Sequence, residues 1–284
     1  MNDPELKAQV VVALTIAGFD PSGGAGVVAD IKTFTAFGCF ATAAVTSLTY
    51  QNTTGVFGAA HQTAEAVRAQ VLPVVEDFQV AGVKTGMLPT REVIEEVVCL
   101  FRETSLPSPV VDPVVRSTSG YDLIDDEALA ALISELLPLA RVLTPNIPEA
   151  ERITGMRVTN EQEMRRAARV MREMGARAVL LKGGHLFSAD ALDLLDDEDG
   201  VQLFRNPRLE TTSTHGTGCT LAAAIAAGLA RGMRLREAVG TAKRFVTDAI
   251  RHAPQLGHGH GPINHNVAMR FGAWRTDGEE NHER

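Results

Sequence analysis

Residues 10–37 read Val10-Val11-Val12-Ala13-Leu14-Thr15-Ile16-Ala17, then Gly18-Phe19-Asp20-Pro21-Ser22-Gly23-Gly24-Ala25-Gly26, then Val27-Val28-Ala29-Asp30-Ile31-Lys32-Thr33-Phe34-Thr35-Ala36-Phe37. The first segment is a short apolar run with β-branched residues, the pattern of a buried strand. The second is a glycine-rich loop. The third carries helical signals, and Gly38 is a suitable stop. Strand, polar loop and helix in this order make the first unit of an α/β protein.

The unit recurs outward from this stretch. Phe40–Leu48 and Val56–Ala60 predict strands around the turn-rich Gln51-Asn52-Thr53-Thr54-Gly55. A helix is predicted from Thr63 to about Asp77, a strand at Val80–Thr85 and an amphipathic helix at Arg91–Arg102. Val110-Val111 reads as a strand ending in Asp112-Pro113. Asp125 and Asp126 open a helix with acids in its first turn, where the dipole favours them. Arg141–Thr144 is a strand and Pro148–Thr154 a short helix. Asn160 with Glu163 resembles a capping box opening a helix to Glu173. Val179–Lys182 is a strand, Asp199-Gly200 a hairpin turn, and Leu235–His252 the last helix. The alternation predicts a mainly parallel sheet covered by helices, with a closed eightfold barrel as the rival that alternation alone does not exclude. No repeat or linker divides the chain. Residues 1–271 are expected to form one domain and the polar residues 272–284 a disordered tail.

The 284 residues are 45% hydrophobic, and the mean hydropathy is near zero, as in a soluble globular protein with a full core. The formal charge of −8, without a basic cluster, disfavours nucleic acid and anionic membrane as partners. Residues 33–64 carry no charged side chain, but Gln51, Asn52 and several threonines and glycines argue against a membrane helix. The N-terminus lacks the features of a secretory signal. Cys39, Cys99 and Cys219 show neither zinc spacing nor a disulfide framework, which suggests a reducing, cytoplasmic setting.

Thr214-His215-Gly216-Thr217-Gly218-Cys219-Thr220 precedes an alanine-rich run that favours a helix. A helix start exposes unpaired N–H groups and the positive end of the dipole, so it can hold phosphate. The same field favours thiolate at Cys219, which is therefore expected to be the most reactive of the three thiols. The bland alternative is an inert core cysteine. Polar clusters fall after several strands: Gly18–Gly26, Lys84–Met87, Asp112–Gly120, Asn146–Glu149 and Lys182–His185. In an open α/β sheet such ends converge on one crevice. Asp20 before Pro21 reads as a turn or cap residue. Asp30 falls among apolar residues of the first helix and needs a partner, for which a bound ligand is one choice. Asp112 and Glu149 are the carboxylates best placed for Mg²⁺, although from spacing alone Glu149 better fits a helix cap. Lys182 at a strand end suits phosphate, or else snorkels to the surface. His252, His258, His260 and His265 form a loose cluster with Gly257-His258-Gly259-His260-Gly261 at its centre. A metal site is conceivable there, but a glycine-rich surface loop fits better. No hydrolase elbow, no G-x-G-x-x-G after the first strand and no P-loop lysine motif is present.

Taken together, Gly18–Gly26, Ala29–Phe34, Gln51-Asn52-Thr53, Lys84–Leu88, Asp112-Pro113-Val114, Thr144–Ala150, Leu181–His185 and His215–Thr220 resemble, in order, the hydroxymethylpyrimidine and phosphomethylpyrimidine kinases of the ribokinase superfamily. The resemblance covers about residues 10–265. It implies a three-layer α/β/α sandwich without an evident β-lid, ATP with Mg²⁺, and two successive phosphorylations of 4-amino-5-hydroxymethyl-2-methylpyrimidine. It also implies a small-molecule pyrimidine as partner and a homodimer as the assembly. By resemblance, Gly216, Thr217 and Gly218 form an anion hole and Cys219 is the base, where most ribokinase relatives place aspartate. Gly18, Asp30, Gln51, Met87 and Val114 match pyrimidine contacts. Asn146 and Lys182 match ATP and phosphate contacts, and Glu149 and Asp112 fall to the metal. Two features depart from the family. Thr118 stands where many members have lysine before Ser-Gly, so no phosphate role is read for that loop, and Ile263–Val267 replaces an aromatic-rich ending; with no β-lid evident, the Ser117–Asp122 loop is the nearest cover. Pyridoxal kinase is the rival within the superfamily, and a non-catalytic pyrimidine sensor the rival outside catalysis.

Overall fold

The computed structural model describes residues 10–115, 123–184 and 190–267. The chain alternates as expected: β1 Val12–Phe19, α1 Gly26–Ala36, β2 Phe40–Asn52, β3 Gly55–His61, α2 Ala64–Asp77, β4 Val80–Thr85, α3 Arg91–Glu103 and β5 Val110–Val111. It continues with α4 Asp126–Ala131, β6 Val142–Leu143, α5 Ile147–Thr154, α6 Glu161–Glu173, β7 Val179–Lys182, β8 Asp190–Asp197, β9 Gly200–Pro207, α7 Thr217–Ala230 and α8 Leu235–Arg251. Side-chain caps fix several helix starts: Thr63, Thr90, Asp125, Asn146 and Asn160 each accept from the N3 amide, which satisfies a donor that the helix leaves unpaired. The reciprocal box expected at Asn160 is not formed. Glu163 turns instead to the amide and hydroxyl of Thr159. The complete box is at Asn146 and Glu149.

The nine strands among the described residues make one open sheet in the order β3-β2-β1-β4-β5-β6-β7-β8-β9, which excludes the barrel. β2, β1, β4, β5, β6 and β7 are mutually parallel, and β3, β8 and β9 are antiparallel extensions. Alternate residues serve opposite layers. Leu14, Ile16, Val83, Val111, Leu143 and Leu181 join the core under α2 to α6. Ala13, Val110, Val142 and Leu180 join the core with α1, α7 and α8. Helices therefore cover both faces, and the result is the three-layer sandwich. The chain moves from β1 to β2 on one side and returns to β4 on the other. This reversal opens a crevice at the carboxyl ends of β1 and β4, where ligands bind in such sheets.

β2 runs through Asn52, so Gln51 is a strand residue and not a turn side chain. The expected strand ends at Leu48, short of the turn-rich Gln51–Gly55; pairing with β3 carries it on through Asn52. His185, the Ser117–Asp122 loop with Thr118, and the polar tail lie outside the described residues.

Candidate active site

The N-cap of α7, Gly216, has φ 79° and ψ 5°. A Cβ there would lie 1.8 Å from the Gly24 carbonyl oxygen, so only glycine lets the first loop meet the α7 start. Asp20 joins the same two loops. Its carboxylate accepts from the Ser22 and Ala25 amides and the Ser22 hydroxyl. It also pairs with His215 Nε2 at 2.8 Å. Burial works to raise the Asp20 carboxyl, but the hydrogen bonds from His215 and Ser22 outweigh it and hold the group below its usual range. The turn role read from Asp20-Pro21 is present, and the tie to His215 adds to it.

Thr217, Gly218 and Cys219 form the first turn of α7, where amides have no acceptor within the helix and no acidic side chain lies. Lys182 faces them. A Cβ on Gly218 would stand 3.2 Å from Lys182 Nζ and 3.8 Å from Asp112 Oδ2. Lys182 does not snorkel: Nζ donates to Asp112 Oδ1 at 3.0 Å and stands 3.9 Å from Glu149 Oε2. Burial opposes its charge, but Asp112 and Glu149 more than compensate. Glu149 takes the helix-cap role that its spacing favoured. Oε2 accepts from the Asn146 amide at 2.7 Å while Asn146 Oδ1 accepts from the Glu149 amide at 2.9 Å, and the same carboxylate faces Lys182. Burial pushes Glu149 up to about 7, with Asp112 adding to the rise and Lys182 and the Asn146 amide opposing it.

Asp112 and Glu149 thus place two carboxylates against one ammonium, an excess of negative charge that suits a divalent cation. Among the described residues no cluster of three or more His, Cys, Asp or Glu ligands exists. The donor set fits Mg²⁺, which takes one or two carboxylates and completes its shell with water and substrate phosphate.

Asp30 departs from expectation. It is fully buried behind the crevice wall, and its partners are protein: Oδ2 accepts from Lys84 Nζ at 2.8 Å and from Thr15 Oγ1 at 2.6 Å. The partner that the buried charge needed is Lys84, itself fully buried. Burial opposes the Lys84 charge; Asp30, Cys219 and Asp112 outweigh it and keep it protonated. Lys84 was visible as the lone charge in an apolar strand, but nothing local tied it to a helix residue 54 positions away.

Cys219 corrects a second expectation. Burial pushes its thiol up to about 11. Lys84 is the strongest opposing influence, Asp112 and Asp30 add to the rise, and the Gly26 amide pulls it back. The field of the helix start is present, but desolvation of this half-buried sulfur at the cleft wall outweighs it. Burial raises Cys39 as well.

A cleft of about 1040 Å³ runs along this edge. At one end it is lined by Gly18, Thr49, Gln51, Met87 and Val114; in the middle by Asp112, Asn146, Glu149, Lys182 and Gly216 to Cys219; at the far end by Asn206, Lys243, Val246 and Ile250. Every predicted site residue except Asp30 lines it. Sequence reasoning gave no individual role to Thr49 or His215, which also line it, or to Lys84, buried just behind its wall.

The family model described as phosphomethylpyrimidine kinase matches residues 20–264. The chain is 47% identical over 269 residues to the hydroxymethylpyrimidine/phosphomethylpyrimidine kinase of Streptomyces coelicolor, covering 95% of this chain and 99% of that one. It is 48% identical over 255 residues to the thiamine biosynthesis bifunctional protein ThiED of Geobacter sulfurreducens; this covers 90% of the chain but only 52% of that protein, so the chain spans about half its length. Among solved structures, phosphomethylpyrimidine kinase from Clostridium difficile superposes with TM-score 0.76 at 40% identity, covering 84% of this chain and 99% of that one. An ADP complex of Bacillus subtilis pyridoxal kinase superposes with TM-score 0.85 at 35% identity, covering 92% and 99%.

Proposed function

This chain belongs to the phosphomethylpyrimidine kinase family, and on that footing we propose that it uses ATP to phosphorylate 4-amino-5-hydroxymethyl-2-methylpyrimidine and then its monophosphate, in thiamine diphosphate biosynthesis. The observation that carries this reading is the cleft itself. An amide side chain, Gln51, lines one end, and a cation facing an acid-free helix start, Lys182 against Gly216–Cys219, lines the middle. The Gln51 amide offers donor and acceptor together, matching an amino group beside a ring nitrogen. The far end, with Asn206, Val246 and Ile250, is left for the nucleoside.

In the first transfer the substrate hydroxyl oxygen attacks the γ-phosphorus. The bond from phosphorus to the bridging oxygen breaks, ADP leaves, and the hydroxyl proton passes to Cys219 Sγ in its thiolate form, which Lys84 and the Gly26 amide favour against burial. Lys182 and the first-turn amides of α7 offset the charge that gathers on the transferring oxygens. In the second transfer the nucleophile is a phosphate monoester oxygen that carries no proton to remove. Asp112 and Glu149 would hold Mg²⁺, which supplies charge neutralisation to the polyphosphate. A homodimer is the proposed assembly, supported by the exposed Leu48 and Tyr50 of β2 and Phe57 of β3 beside an open sheet edge. No helix among the described residues is long and apolar enough to cross a membrane; residence in the cytoplasm accords with three free cysteines.

The likeness to pyridoxal kinase favours one second reading, phosphorylation of pyridoxal. An assay of ADP release with MgATP and either alcohol tests both. Preference for the pyrimidine, followed by a second turnover on the monophosphate, is the expected result. Preference for pyridoxal would replace the first reading, and binding of the pyrimidine without ADP release would leave a sensor.

A further inference from the structure

Resting on that reading, we propose that Thr53, gripped by the Gly257–His260 segment, is a positioning residue that fixes Gln51 at the pyrimidine end of the cleft. β2 pairs with β1 only as far as Leu48, opposite Phe19. Beyond it, β2 runs on as a two-stranded ribbon with β3 as far as Asn52, opposite Gly55. Gln51 stands on this overhang. A lone two-stranded ribbon is marginal in water, so the sheet alone does not hold Gln51 in place. At its base the Thr49 hydroxyl donates to the Phe19 carbonyl at 2.9 Å, and Gln51 Nε2 donates to Thr49 Oγ1 at 2.7 Å.

The tip is held from the far end of the chain. The His260 amide donates to the Thr53 carbonyl at 2.8 Å. The His258 and Gly259 amides donate to Thr53 Oγ1 at 3.2 and 3.4 Å. The approach is so close that a Cβ at Gly257 would lie 2.2 Å from Thr53 Oγ1, and one at Gly259 would lie 2.1 Å from the Thr53 carbonyl oxygen. This accounts for the glycines of the Gly-His-Gly-His-Gly tract, which is a strap and not a free surface loop. The strap continues onto α7. The His215 amide donates to the Gly261 carbonyl at 3.1 Å, and His265 Nε2 lies 3.0 Å from Thr220 Oγ1. One continuous segment thus clasps the ribbon that carries Gln51 and the helix start that carries Cys219. It sets the separation between the group that reads the ring and the group that meets the reacting hydroxyl.

Gly259→Ala forces the strap from the tip; Thr53→Ala removes the hydroxyl grip more gently, and Thr53→Ser restores it. The pyrimidine Kd from calorimetry should rise on the order of tenfold for Gly259→Ala, with a smaller rise for Thr53→Ala that Thr53→Ser reverses. The KM for ATP should stay within about twofold. If the strap acts through Gln51, the Gln51→Ala/Gly259→Ala pair should bind no more weakly than Gln51→Ala alone. Additive losses in the double variant, or equal rises in the constants for both substrates, would overturn the proposal. Calorimetry keeps the two readings apart. A parent that binds the pyrimidine but transfers no phosphate defeats the kinase reading, and its Kd still reports on Gly259 and Thr53.

Discussion

Cys219 stands between opposing influences, and its part in the reaction is open to measurement. In the first transfer the attacking alcohol must lose a proton, so a base matters. In the second, a monoester with pKa near 6 is already largely dianionic at neutral pH. Cys219→Ala should therefore slow the first transfer by roughly 10²-fold or more and the second much less, while Lys182→Ala slows both. Equal losses for Cys219→Ala in assays started from the alcohol and from the monophosphate would assign the thiol to shaping the anion hole. Because burial holds the free thiol at about 11, alkylation of Cys219 followed by peptide mapping should show a midpoint well above 8.5, the value of an unperturbed thiol. A midpoint below that would mean that the helix field wins after all. Beneath it, Lys84 and Asp30 make a buried pair. Lys84→Met alone leaves a buried carboxylate and should cost about 3–5 kcal/mol in urea unfolding, whereas Lys84→Met with Asp30→Leu should recover most of that. No recovery in the double variant would refute the charge argument. The residue types of this site were legible because each carries its chemistry in its side chain. The pairings Asp20–His215 and Asp30–Lys84, and the direction of the Cys219 shift, were not. They depend on residues far apart in the chain and on desolvation, which no local pattern records.

At the scale of elements, α5 joins helix capping to cation binding through Glu149. Its carboxyl is raised from 4.5 to about 7, so the folded state holds a proton that the unfolded state has released between those values. Stability therefore falls as pH rises across that window, and a cation must displace the proton below pH 7. Mg²⁺-dependent ADP binding should strengthen between pH 6 and 8 by up to about tenfold for each unit below the midpoint. Glu149→Gln should flatten the profile and weaken binding throughout. An unchanged slope in Glu149→Gln would place the titrating group elsewhere. Most elements were readable for ordinary reasons: apolar runs gave β1, β4, β5 and β7, and Thr63, Asp125 and Asn160 marked helix starts. β2 was cut short, although Thr49 and Tyr50 favour a strand, because the turn-rich residues after them owe their extended form to pairing with β3.

At the scale of the whole molecule, the bare outer edge of β3 invites a partner, and Tyr50 and Phe57 stand exposed beside it. If two copies meet there, Phe57→Glu should convert a dimer to a monomer in sedimentation velocity at micromolar concentration; an unchanged profile would move the interface elsewhere.

The place of α7 has a further consequence. Its buried face, Leu221 to Ala227, covers Ala13, Phe34, Phe37, Val110 and Val142, all made well before it. During synthesis at about 5–20 residues per second, the ribosome therefore displays a sheet with one apolar side covered only in part, by α1, for on the order of 10 s. That interval is when a holdase would engage the nascent chain, and it ends only once translation has carried residue 230 clear of the exit tunnel.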